Sequence, residues 1–121
     1  MGIDIYARFE RMTGAQFKAG FYVNAGGVGH LREAYHGEPY AARHLVPEAF
    51  EQPAGAYIPA KRLRERLPET LRLAEERERS MYGATTIQQI EPVLKTYTAF
   101  VELCEREEAK SGLPTKIIAS W

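Results

Sequence analysis

The chain has 121 residues, of which 45% are apolar, and its 16 basic and 16 acidic side chains cancel. That length and apolar content describe a single domain, 1–121, large enough to bury one core, and they exclude a disordered chain. The balanced charge lacks the basic footprint of a nucleic-acid binder and the acidity of a solvating tail.

In chain order, Ile3 to Phe9 alternates apolar and polar residues and predicts a half-buried strand, with Ile3, Ile5, Ala7 and Phe9 on one face. The stretch MTGAQFKAG, 12–20, carries two glycines and reads as a connection. GFYVNA, 20–25, predicts a second strand ending at the Gly26-Gly27 breaker. A helical turn is expected over 28–35, with Leu31 and Tyr35 four apart and His36-Gly37 closing it. Tyr40 to Val46 reads as a short strand, and a loop or short helix follows around Ala49 and Phe50.

The second half is more periodic. Ala60 to Tyr82 predicts helix with a stripe of Leu63, Leu67, Leu71, Ala74 and Met81, broken near Leu67 because Pro68 opens a new helix. Thr86 and Gln89 have capping-box spacing for a second helix. Along it Val93, Tyr97, Phe100 and Cys104 recur at three and four, with Val101 alongside, as far as Ser111-Gly112. TKIIASW is a final strand. The fold class is therefore α+β: a small, mainly antiparallel sheet that includes the N- and C-terminal strands, packed against a helical hairpin. Leu67, Leu71, Ala74, Tyr97, Phe100 and Val101 are expected to face the sheet.

MGIDIYAR has no basic segment followed by an apolar run, so no signal peptide is expected. No apolar run reaches the roughly 18 residues of a membrane span. A cytoplasmic protein with no membrane partner is the expectation. The single cysteine, Cys104, allows no internal disulfide and reads as a small apolar residue on a helix face.

The stretch GGVGHLREAYHGEPY, 26–40, concentrates the candidate chemistry. NAGGVGH does not match a dinucleotide or phosphate loop, and it reads as a turn, with anion binding at a following helix start as the alternative. His30, His36 and His44 lie within fifteen residues, but their spacings of six and eight match no zinc pattern, so no metal and no cofactor are expected. His36 with Glu33 or Glu38, backed by Arg32 and Tyr40, is the candidate acid/base site: a carboxylate orients the imidazole and the arginine clamps an anion. Ser80, Ser111 and Ser120 lack a nucleophile elbow. Set against this enzyme alternative is a protein-binding surface of Arg32, His36, Tyr40, Arg43 and Tyr57. Tyr35 and Trp121 are further candidates, since Tyr, Trp and Arg are the residue types that anchor interfaces. A homodimer is a further expectation, two-fold dimers being the commonest assemblies.

Four segments carry a resemblance: MGIDIYAR, G-x-LREAYHGEPYA, LVPEAFE and IPA-x-x-LRERLPETL-x-LAEERE. From Met1 to about Tyr82 the chain resembles a group of uncharacterised small bacterial and phage-associated proteins with no assigned activity. The resemblance implies a cytoplasmic accessory protein borne on mobile elements and acting by binding a host protein complex. It supplies no catalytic residues.

Overall fold

The structure, a computed structural model, describes residues 2–8, 29–35, 37–81 and 83–121. Strand β1 (Gly2–Arg8) buries Ile3, Ile5 and Ala7 on one face, as its alternation dictates. Strand β2 (His30–Ala34) pairs antiparallel with one side of β1, Leu31 opposite Ile5. Strand β4 (Thr115–Ser120) pairs antiparallel with the other side, placing Ala119 opposite Ile5 and Ile117 opposite Ala7. Strand β3 (Ala56–Ile58) completes the order β2-β1-β4-β3. Among the described residues β1 and β4 are thus the central pair of a four-stranded antiparallel sheet, and the fold is α+β.

Two short helices, α1 (Ala41–Leu45) and α2 (Pro47–Glu51), precede β3, and two long ones, α3 (Ala60–Met81) and α4 (Ile87–Ser111), separate β3 from β4. The long helices run antiparallel. The start of α3 meets the end of α4, where Arg64 Nε lies 3.0 Å from Glu105 and the Ala60 N–H donates to Glu108. Gln89 reaches back to accept from the N–H groups of Thr85 and Thr86, as its capping-box spacing predicts. Gly112, at φ 74°, ends α4 in the left-handed conformation that glycine adopts without strain. The core joins Ile3, Ile5, Leu31, Ile58 and Ile117 of the sheet to Leu63, Leu67, Phe100 and Val101 of the helices. Among the described residues no helix is long and apolar enough to cross a membrane.

Several elements differ from expectation. Residues 30–34 form a strand rather than a helical turn. Leu31 and Glu33 share its inner face, and a charged residue at an inward position hides the period-2 pattern. Tyr35, expected to pin this segment beside Leu31, is instead 39% exposed. Residues 41–45 form a helix where a strand was expected, and the strand at Ala56–Ile58 was not anticipated. Helix α3 is continuous through Pro68. Proline removes one helical hydrogen bond, but Pro68 and the residue four before it, Arg64, are both exposed, so the freed carbonyl faces water. Leu71 is only partly buried and Met81 is exposed; Thr70, Leu73 and Arg77 complete the inner stripe instead. Phe9, the connection at 12–20, the strand at 20–25, the Gly26-Gly27 pair and His36 lie outside the described residues.

Candidate functional site

Glu33 and Arg77, 44 positions apart, meet in the interior: Arg77 Nε lies 2.8 Å from Glu33 Oε2, and both side chains are nearly inaccessible. The carboxylate also accepts from the N–H groups of Ala41 and Ala42 at 2.9 and 3.0 Å, two orphan donors at the start of α1. The guanidinium donates to the carbonyls of Ala34, Gly37 and Pro39, and it lies 4.8 Å from the centroid of the Tyr40 ring. Burial pushes the Glu33 carboxyl above its ordinary range, against the pull of those two N–H groups and Arg77. Donors and acceptors are matched, so this network ties β2, the 34–40 segment, α1 and α3 into one frame.

That frame presents a surface at the end of the sheet where β4 finishes. Phe50 of α2 and Trp121 pack with ring centroids 5.1 Å apart. Arg43 of α1 sits over Phe50, 5.5 Å from its centroid. Together with Ile3, Tyr35 and Tyr40 they line a hollow of about 360 Å³. A second hollow of about 560 Å³ adjoins it, shares Tyr40 and Arg43, and adds His44, Pro47, Arg66 and Glu38. Trp121 is 61% exposed, large for an apolar ring. Glu48 fixes α2 to α3 by accepting from Arg62 and from both terminal nitrogens of Arg66, which also donates to the Leu45 carbonyl. These hydrogen bonds, those of Arg66 foremost, hold the Glu48 carboxyl down at about 2.

On the sheet face opposite the helices, Asp4 bridges two residues of β2. His30 Nε2 lies 2.9 Å from Asp4 Oδ1, and Arg32 donates to both carboxylate oxygens at 2.9 Å. The Tyr6 ring stacks on His30 at 5.1 Å. Burial, aided by the Asp4 charge, raises the Tyr6 phenol to about 12.

The predicted site residues therefore scatter. Arg32 and Glu33, adjacent on a strand, point to opposite faces and hold different partners, Asp4 and Arg77, so the acid/base constellation expected of them with His36 is not assembled from these two; His36 lies outside the described residues. Of the predicted binding residues, Tyr40 and Arg43 come together, and Tyr35 and Trp121 join them. Tyr57 is 66% exposed, but it stands across from Lys116, about 15 Å along β4 from Trp121. His30 and His44 are apart, one buried on β2 and the other exposed on α1. Among the described residues no group of three His, Cys, Asp or Glu is placed to hold a metal ion. Cys104 is buried, and burial pushes its thiol up to about 12, far from a reactive thiolate.

Sequence reasoning missed Phe50, which carried no periodic signal, and the Glu33–Arg77 and Asp4–His30 contacts. Asp4 is 26 residues from His30, and only the register of β1 on β2 brings them together. No protein-family model, curated protein or solved structure matches this chain.

Proposed function

We propose that the chain is a protein-binding module whose contact surface is formed by Tyr35, Tyr40, Arg43, Phe50 and Trp121. The observation that carries this reading is the half-exposed Phe50–Trp121 pair with Arg43 laid over it. Tyr, Trp and Arg dominate the energetics of interfaces because they offer large rigid area with a polar handle. The surface is carried on a hydrogen-bonded frame, so the backbone beneath it needs little ordering on association. The partner in this reading is another protein of the cytoplasm. Affinity capture from native cells with the wild-type chain and with Trp121→Ala tests it. A partner retained by the wild type and lost by the variant supports the reading, and equal capture by both removes it.

A second reading, a small acid/base enzyme, is favoured by the buried His30–Asp4 contact, since a carboxylate orients an imidazole for proton transfer. Its centre would be His30 rather than His36 with Glu33. Hydrolysis of activated ester or phosphate substrates that disappears in His30→Gln, with the fold intact, supports it; activity unchanged in that variant sinks it.

A further inference from the structure

We infer that the surface takes an acidic peptide segment, which seats an apolar side chain in the aromatic hollow and places a carboxylate on Arg43; this rests on the protein-binding reading above. The two adjoining hollows differ in chemistry. Ile3, Tyr35, Phe50 and Trp121 line the first, which fits an apolar side chain. Arg43 stands between the two, lining both, and the second adds Arg66 and His44 together with Glu38. Of these, Arg66 is taken up by Glu48 and the Leu45 carbonyl. Arg43 differs. Among the described residues its ion-pair partner is Glu38 at 3.6 Å, beyond hydrogen-bonding distance, and the two side chains are 57% and 72% exposed. A pair held so loosely in water yields readily to an incoming carboxylate.

The spacing fits one short segment. Arg43 lies 5.5 Å from the Phe50 ring centroid. Side chains two apart on an extended peptide project from the same face about 6 to 7 Å apart. One residue therefore fills the aromatic hollow while its i+2 neighbour meets the guanidinium. Charge decides among occupants. Arg43 is the charged residue lining the aromatic hollow, and Glu38 lines the adjoining one, so the aromatic end repels a basic segment. A nucleic-acid strand brings a run of phosphates where, with Arg66 taken up by Glu48, one loosely held arginine stands among the described residues.

Panning a random peptide library on the full chain tests the inference, with synthetic copies of the enriched peptides titrated by fluorescence. Trp121, the single tryptophan, reports from inside the hollow. Enriched sequences are expected to carry Asp or Glu within two residues of Leu, Met, Phe or Trp and to change the Trp121 emission. Arg43→Glu is expected to weaken them by at least about tenfold, the loss of one charge-assisted contact, and to improve binding of the lysine-substituted copies. Because Arg43 is exposed, circular dichroism melts of this variant check that the fold is retained. Enrichment of neutral or basic peptides that still perturb Trp121 overturns the acidic specificity and leaves the protein-binding reading standing. Binding of a single-stranded oligothymidine in place of peptides, a dimer that disappears in Trp121→Ala, or no enrichment at all also overturns the inference. Failure of capture by the wild-type chain, by contrast, strikes the broader reading.

Discussion

Arg77 and Arg43 each lie against an aromatic ring on the same side of the molecule, yet their surroundings make them opposites. Arg77 is buried over Tyr40, and its donors end on Glu33 and three carbonyls. Arg43 lies over Phe50 in water, with one loose carboxylate nearby. A guanidinium with each of its nitrogens satisfied inside the protein is a structural element, because removing it strands a buried carboxylate. One with donors facing solvent adds little to stability and keeps its hydrogen bonds for a partner. Residue type, then, does not distinguish frame from surface; saturation of hydrogen bonds does.

The sharpest way to break this contrast is Arg77→Met. It leaves Glu33 buried without its cation, and a loss of about 3 to 5 kcal/mol is expected in denaturant melts. Phe100→Ala calibrates that figure. The ring is fully buried and carries no charge, so its truncation is expected to cost about 3 to 5 kcal/mol through cavity formation. If Arg77→Met costs less than 1 kcal/mol while Phe100→Ala costs the expected amount, the ionic frame is dispensable and the contrast collapses.

A smaller effect is expected at Glu48, which anchors α2 beneath the aromatic surface. Its folded carboxyl sits at about 2, below the ordinary 4.5 of a glutamate. Its ionised form is therefore favoured by folding, and its contribution is present above about pH 4.5 and lost as pH falls toward 2. Glu48→Gln is expected to cost about 1 to 3 kcal/mol at neutral pH and to flatten the acid limb of stability against pH in that window. An unchanged acid limb assigns the acid sensitivity to other carboxylates.

The smallest effect on stability is expected at the surface itself. Arg43→Ala and Trp121→Ala are expected to stay within about 1 kcal/mol of wild type in the same melts, as exposed positions do, while partner capture falls. Unfolding by either variant would turn the surface into a second frame and leave the protein without a distinct contact face.

The legible parts of the fold were those written in local periodicity. Ile3, Ile5 and Ala7 announced β1, Tyr97, Phe100 and Val101 announced α4, and Thr86 with Gln89 marked its start. The segment from 28 to 59 was read poorly, because its decisive contacts are non-local. Glu33 is an inward residue that looks outward by its charge, and the N–H groups it caps lie eight and nine residues on, in a helix too short to announce itself. Four of the five residues of the aromatic surface were legible by residue type, Tyr35, Tyr40, Arg43 and Trp121. Its assembly was not, since Trp121 meets Phe50 only because β4 runs beside β1 and carries the end of the chain past α2.

That central pairing has a consequence in time. Asp4 lies opposite Ser120, and Arg8 opposite Lys116, so the middle of the sheet joins segments more than a hundred positions apart. Contacts of such separation are slow to close, whereas α3 and α4 are neighbours in sequence and collapse early. During synthesis, β1 is made first and waits for its central partner until the last strand has left the ribosome. Until then its edge is open to other chains. A nascent chain stalled before Thr115 is thus expected to hold a formed helical pair beside a β1 that is matched by β2 on one side and open on the other, sensitive to protease, and extension through Ser120 to abolish that sensitivity in a single step.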